Sequence, residues 1–198
     1  METDIGFEST RTVSPEEFVA FVDMRERAGD IYHYELLNGR IVMNPPAGFP
    51  HGRVDSKVQR LLANFVEDRR LGETLGSSQG FALPSGDTVE PDASYVSRAR
   101  WEAAPPPKMG EFLRVVPDLV VEVLSRSNAS VDRGEKKAIY ERNGVREYWL
   151  VDARARRLTV FLLRDERFDR GRHFAEDERF ASDVLPGLEF RVGELFPE

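Results

Sequence analysis

The segment PDLVVEVLSRSN, residues 117–128, places a glutamate in the middle of an apolar run. Its Val and Leu content predicts a β-strand, in which alternate side chains share a face, so Asp118 and Glu122 point the same way. A lone carboxylate inside an apolar strand loses hydration worth several kcal/mol unless it has a hydrogen-bonding partner, a bound cation or a proton. We therefore expect a compensating group close to Glu122.

The segment TVEPDASYV, residues 88–96, carries a second candidate carboxylate, Asp92, at or near the start of another predicted strand. If this strand pairs with the strand of residues 118–124, Asp92 and Glu122 can converge on one cation. Two carboxylates, a backbone carbonyl and waters suit Mg²⁺ or Mn²⁺ far better than zinc. The two strands together therefore predict a magnesium or manganese site.

The segment DRGEKKAIYERNG, residues 132–144, predicts a helix over residues 132–143. Lys136 lies three and four residues from Ile139 and Tyr140, which places it on the side that faces the sheet. An inward lysine can stabilise Glu122 and also negative charge that develops in a reaction. Three residues mark the ends of this predicted helix: Asp132 as N-cap, Glu135 as its reciprocal partner, and Gly144 beyond the C-terminus.

Each of these charged residues also has a purely structural interpretation. An aspartate that follows a proline is common at turns and strand boundaries, which covers Asp92 and Asp118. Glu122 can form a buried ion pair with an arginine, and the long side chain of Lys136 can carry its ammonium to solvent. The functional interpretation depends on Asp92, Glu122 and Lys136 occurring together around one sheet.

The flanking segments predict an α/β or α+β fold with a mixed sheet. Ser14 and Glu17 form a capping-box pattern at the start of a first helix, and Asn38-Gly39 is a strong hairpin signal. An apolar stripe predicts a long helix over residues 54–70. The segments REYWLVD and RLTVFLLR predict two further strands. We expect a single domain over residues 1–198, with residues 1–13 flexible.

Composition excludes several classes of protein. The chain has 198 residues, a formal net charge of -7 and no cysteine, which rules out disulfides, thiolate zinc sites and a cysteine nucleophile. An acidic protein of pI about 5.2 is not a strongly basic nucleic-acid coat protein, although a local basic groove remains compatible. The polar, acidic start and the lack of a membrane-length apolar run predict a cytoplasmic protein with no membrane partner.

Other motifs carry less weight. The string GSSQG, residues 76–80, fits a nucleophile-elbow pattern, but its surroundings predict a Gly/Ser loop. The three histidines lack metalloprotease spacing, and the sequence contains no phosphate-cradling glycine motif.

In their order along the chain, these segments resemble the PD-(D/E)XK nuclease superfamily and, within it, the Uma2 family of restriction-endonuclease-like proteins. The resemblance spans roughly residues 14–195 and implies a restriction-endonuclease-like core with an N-terminal helix and a β-hairpin extension. The succession of the last two of its marks is specific. The marks are YELLNGRIVM, the histidine of PHGRV, EPDASYV, PDLVVEVLS and DRGEKKAIYERNGVREYWLVD.

The resemblance implies a catalytic site. By it, Asp92 and Glu122 are catalytic acids that hold Mg²⁺ or Mn²⁺, with Val123 as a further metal ligand. The family's lysine would stand two residues after the second acid, where this chain has Leu124. Lys136, on the following helix, resembles the migrated lysine of this family.

The remaining residues and the function also follow from the resemblance. It makes Glu35 an additional catalytic acid and places His51 and Arg133 among the substrate-binding residues. The implied activity is metal-assisted hydrolysis of phosphodiester bonds in nucleic acid, with DNA as the expected substrate and a homodimer as the expected assembly. Two alternatives stay open: a catalytically inactive nuclease fold that binds nucleic acid or protein, and a different carboxylate-dependent hydrolase.

Overall fold

The computed structural model describes residues 8–44, 48–125 and 129–197. Its helices are α1 Pro15–Arg27, α2 His51–Arg69, α3 Arg98–Ala103, α4 Ala129–Val131 and α5 Lys137–Arg142, with a π-helical turn Asp132–Lys136 and a 3₁₀ turn Val192–Leu195. Its strands are β1 His33–Leu37, β2 Arg40–Asn44, β3 Gly72–Gly76, β4 Phe81–Ala82, β5 Thr88–Val89, β6 Ala93–Ser97, β7 Leu119–Val123, β8 Glu147–Asp152, β9 Arg157–Arg164, β10 Arg167–Phe168, β11 Arg172–Ala175, β12 Arg179–Ala181 and β13 Glu189–Arg191. Among the described residues, no helix is both long and apolar enough to cross a lipid bilayer.

A mixed sheet forms the centre of the molecule, with strand order β10-β9-β8-β7-β6-β3 and β11 paired to β9. Strand β7 runs parallel to β8 and antiparallel to β6, with Ala93 opposite Val121. The predicted pairing of the strand near Asp92 with the strand that carries Glu122 is therefore confirmed. This pairing brings the start of β6 beside the end of β7.

The two faces of β7 bury different cores. Leu119, Val121 and Val123 pack in a cluster with the apolar stripe of α2, whereas Val120 and Leu124 pack in a second cluster with α5. Because side chains alternate along a strand, Glu122 lies on the α5 face. The strand thus directs its carboxylate toward the helix that follows it in the chain.

A second sheet, of order β2-β1-β5-β4, lies under α1. Strands β1 and β2 form the predicted hairpin, and its turn residues Asn38 and Gly39 have φ of 50° and 77°. Both angles are left-handed, as a two-residue hairpin turn requires. The capping box of Ser14 and Glu17 at the start of α1 is also present.

The helix predicted over residues 132–143 is correct in position and wrong in detail. Asp132 does not cap it, because the chain is already helical at Val131 and the Asp132 side chain is buried in the π-helical turn. The carboxylate of Glu135 accepts hydrogen bonds from Asn38 and Arg40 of the hairpin instead of returning to its own helix. Two further differences concern α2, which starts at His51 rather than residue 54, and α3, which the sequence analysis did not predict.

The predicted flexible start of the chain lies partly outside the described residues, which begin at Glu8. In the described part, the backbone N–H of Ser9 donates to the carbonyl of Ile41, and that of Val13 donates to the carbonyl of Gly39. These bonds hold the segment before α1 along the hairpin.

Candidate active site

A cavity of about 680 Å³ opens where β7 ends and β6 begins. It gathers residues from both sheets, from the start of α2 and from the π-helical turn. The charged residues and histidines in its lining are His33, His51, Asp55, Glu90, Asp92, Glu122, Asp132, Lys136 and Arg154.

Glu122 has the compensating partner that its sequence context requires. The ammonium of Lys136 lies 2.7 Å from Oε1 of Glu122, and both residues are 4% exposed. The hydroxyl of Tyr140, one turn further along the helix, donates to the same oxygen at 2.6 Å. The inward orientation of Lys136 is therefore confirmed, and the snorkelling alternative is excluded.

Glu35 joins this cluster from the hairpin. Its Oε1 lies 2.9 Å from the ammonium of Lys136 and accepts a hydrogen bond from the backbone N–H of Glu90 at 2.8 Å. Its Oε2 accepts from the side-chain amide of Asn44 at 2.7 Å. Strand β1 thus places a second buried carboxylate on the lysine, and the lysine bridges the two sheets.

Asp92 approaches from the start of β6. Its Oδ2 accepts a hydrogen bond from the backbone N–H of Val123 at 2.7 Å, and Nε2 of His51 lies 3.3 Å from the same oxygen. The side-chain amide of Gln59 donates to the Asp92 carbonyl at 3.2 Å. Residues from α2 and β7 therefore fix both the backbone and one carboxylate oxygen of Asp92.

Both central carboxylates, Asp92 and Glu122, line the cavity. The hydrogen bonds described above fall on Oδ2 of Asp92 and Oε1 of Glu122. The described part of the chain contains no group of three His, Asp or Glu side chains ready to hold a metal ion. A cation here would therefore take two carboxylates and complete its shell with backbone carbonyl oxygen and water, which suits Mg²⁺.

The charge balance of the cluster also favours a cation. Burial raises the pKa of Glu122 well above its ordinary value and raises the pKa of Asp132 to about 7. Burial opposes the charge of Lys136, but attraction to Glu122 and Glu35 outweighs this effect and raises the lysine pKa. Three buried carboxyl groups thus surround one ammonium, and a divalent ion would neutralise the excess negative charge that appears when they ionise.

Asp132 and Tyr140 belong to this site although the sequence analysis gave them no part in it. Asp132 Oδ1 lies 3.9 Å from the Lys136 ammonium and lines the cavity. The sequence pattern predicted Asp132 to be an N-cap. Its i,i+4 spacing to an inward lysine was the available signal, because residues at this spacing share one face of a helix.

Three other residues that the sequence analysis considered add no charge to this cluster. Arg133 points outward and pairs with Asp152 at 3.1 Å, and it is not part of the cavity lining. Leu124 is buried in the apolar cluster that packs against α5, and it forms part of the apolar wall of the cavity. Asp118 accepts from the backbone N–H of Ser97 and pairs with Arg100 and Arg146, a structural role.

Comparisons with known proteins bear on the family and the fold of this chain. A family model described as "Uma2: Putative restriction endonuclease" matches residues 15–193. The crystal structure of "a putative nuclease belonging to DUF820" from Anabaena variabilis ATCC 29413 superposes with a TM-score of 0.73 at 16% identity, covering 92% of this chain and 97% of that chain. No match was found among curated proteins. The structural likeness confirms the predicted fold.

Proposed function

This chain belongs to the Uma2 family, described as putative restriction endonucleases, and from that premise we propose that it is a divalent-metal-dependent phosphodiesterase that cleaves DNA. One observation carries the proposal: Asp92, Glu122 and Lys136 line a single cavity, with the lysine bonded to Glu122 at 2.7 Å. The proposal includes a cytoplasmic location and a homodimer.

Asp92 and Glu122 would hold Mg²⁺ or Mn²⁺ through their carboxylate oxygens, with the backbone carbonyl of Val123 as a further donor. When bound, such an ion polarises the scissile phosphate and lowers the pKa of a coordinated water. The all-oxygen character of these donors supports a hard cation.

The other residues supply charge and orientation. Lys136 is held by Glu122 and Glu35, so its ammonium is fixed in place to stabilise the charge of a pentavalent phosphorane. Glu35 acts as the anchor that keeps Lys136 beside Glu122. His51, at the start of α2 and 3.3 Å from Asp92, offers an imidazole to a phosphate oxygen.

A cleavage assay on single-stranded DNA and on plasmid DNA tests the proposal. The wild-type protein with Mg²⁺ or Mn²⁺ should nick or linearise DNA, and Asp92→Ala, Glu122→Gln and Lys136→Met should each abolish cleavage. Glu73→Ala, a change on the exposed surface of β3, serves as the matched control and should cleave like the wild type. Equal cleavage by wild type and Asp92→Ala would show a contaminating nuclease and refute the assignment.

A second candidate function is a nuclease fold that binds without chemistry. It is favoured by Leu124 at the position of the family's usual lysine and by the net charge of -7. Titration calorimetry separates the two candidates. A catalytic site should bind Mn²⁺ in a manner that depends on Asp92 and Glu122, whereas a binding module should show no such dependence.

A further inference from the structure

Two aromatic side chains stand exposed beside the candidate active site. Phe49 is 82% exposed and Tyr32 is 44% exposed, and no other aromatic residue in the described part of the chain is exposed to a comparable degree. Phe49 lines the cavity that contains Asp92 and Glu122. Burial of the Phe49 ring against a partner at the mouth of this cavity would gain free energy that the exposed ring lacks.

The cavity continues along β1 into a second cavity of about 380 Å³, which shares Ile31, His33 and Glu90 with it. Tyr32 lines this second cavity, together with the polar side chains of Ser78 and Gln79. Ile31, between the two, is 76% exposed. The surface that leads away from the carboxylates therefore carries the exposed Ile31 and Tyr32 among polar and charged side chains, which include Arg25, Asp30 and Glu111.

Few cations line the first cavity. Among the described residues that line the first cavity, Lys136 and Arg154 are the cations, and Lys136 is already paired with Glu122 and Glu35. A protein that grips duplex DNA neutralises several phosphates with Lys and Arg, which this lining does not offer. Unpaired bases, by contrast, bind by stacking on aromatic rings.

Resting on the function proposed above, we propose that Phe49 and Tyr32 are stacking platforms for unpaired nucleobases and that the substrate is single-stranded DNA. A flexible single strand can bring one phosphate into the cavity while its bases lie on Phe49 and, one or more nucleotides further, on Tyr32. A base pair inside a duplex presents no free face to these rings. Stacking on the two rings adds affinity for an unpaired strand that a duplex cannot gain.

A comparison of binding affinities tests the proposal under conditions that prevent cleavage. Fluorescence anisotropy in EDTA compares a labelled thymidine oligonucleotide of about 12 nucleotides with a strand of the same length made of abasic sites, and with the thymidine strand annealed to its complement. The wild type should bind the thymidine strand more tightly than the other two. Phe49→Ala should bind it roughly 5- to 100-fold more weakly and should lose most of its preference over the abasic strand, since one stacking partner is gone.

Two variants serve as controls. Phe49→Trp should keep the preference, because a larger ring preserves the stacking face. Met109→Ala removes a fully exposed apolar side chain outside the lining of both cavities and should change nothing. Unchanged melting temperatures will show that the variants are folded.

Three results would overturn the inference: an undiminished preference in Phe49→Ala, equal affinity of the wild type for duplex and single strand, or a change from dimer to monomer in Phe49→Ala with its base preference intact. The last would identify a second copy of the chain as the partner of Phe49. The nuclease proposal stands or falls separately. Ring-dependent binding without plasmid or single-strand cleavage in Mg²⁺ or Mn²⁺ would refute only the enzyme.

Discussion

Replacing Lys136 by methionine removes the charge that the buried carboxylates share while keeping the length of the side chain. In the wild type, the ammonium lies 2.7 Å from Glu122 and 2.9 Å from Glu35. In Lys136→Met, those carboxyl groups and Asp132 occupy the same buried space without it. We expect the folded variant to take up one more carboxyl proton than the wild type.

The pH dependence gives the size of the effect. Protonating a carboxyl group with an ordinary pKa of about 4.3 costs about 5 kcal/mol at pH 8 and about 1 kcal/mol at pH 5. Proton uptake is always open to the variant, so these values set an upper limit to the penalty of leaving one buried carboxylate charged and unpaired, and the limit at pH 8 is similar to the roughly 3–5 kcal/mol for breaking a buried ion pair. The sign follows from linkage: a carboxyl group whose pKa is raised in the folded state contributes stability that is lost as the pH rises.

Urea denaturation followed by tryptophan fluorescence, in EDTA at about pH 5, 6.5 and 8, measures this effect. The stability difference between Lys136→Met and the wild type should grow by about 1.4 kcal/mol per pH unit for one additional proton. Lys137→Met is the matched control. Its ammonium lies 4.1 Å over the ring of Phe161, away from the carboxylates, so it should cost about 1 kcal/mol or less at every pH.

A pH-independent difference, or a loss below about 1 kcal/mol at pH 8, would refute the reasoning, because it would show that Lys136 does not compensate buried negative charge.

Two further predictions concern the buried Glu147 and the hydrogen-bonded pair of His33 and Glu90. Glu147→Ala should lower the free energy of unfolding, measured by urea denaturation, by about 3 kcal/mol or more. The fully buried carboxylate of Glu147 accepts hydrogen bonds from Trp149, Ser182, Asp183 and Val184, and the alanine variant leaves these donors without their acceptor. An effect under about 1 kcal/mol would contradict this. The imidazole of His33 should titrate above the ordinary histidine pKa in an NMR experiment, since its hydrogen bond to Glu90 raises the pKa although burial opposes it. Glu90→Gln should return it toward the ordinary value, and an unchanged pKa in that variant would count against the assignment.

Local signals in the sequence were enough to predict much of the fold. The hairpin follows from two adjacent residues, Asn38 and Gly39, that tolerate positive φ, and the observed angles are positive at both. The apolar period that predicts α2 depends only on side chains within one helix. The face on which Glu122 lies follows from the twofold alternation of a strand. In each case, neighbours in the sequence determine the structure.

The candidate site was predicted only in part, because most of its contacts join residues far apart in the sequence. Glu35 meets Lys136 across 101 positions, a pairing that no local pattern indicates. Tyr140 entered the sequence analysis as an apolar marker of the inward face, and its hydroxyl proved to be a hydrogen-bond donor to Glu122. Asp132 was assigned to a helix cap because the pattern fits one, but burial in the π-helical turn overrode that local preference.

The place of Lys136 explains how the chain can differ from the usual family pattern at Leu124 and keep an ammonium at the same carboxylate. Residue 124 lies two positions beyond Glu122, on the α5 face of β7, and there packs into the apolar core. The π-helical turn crosses that face and delivers Lys136 to Glu122 from above the sheet rather than from within it. π-helical turns are rare and often occur at functional sites, which fits a helix shaped to bring Asp132 and Lys136 together into the cavity. The charge that the strand lacks is thus supplied by the helix, and the buried Glu122 is compensated either way.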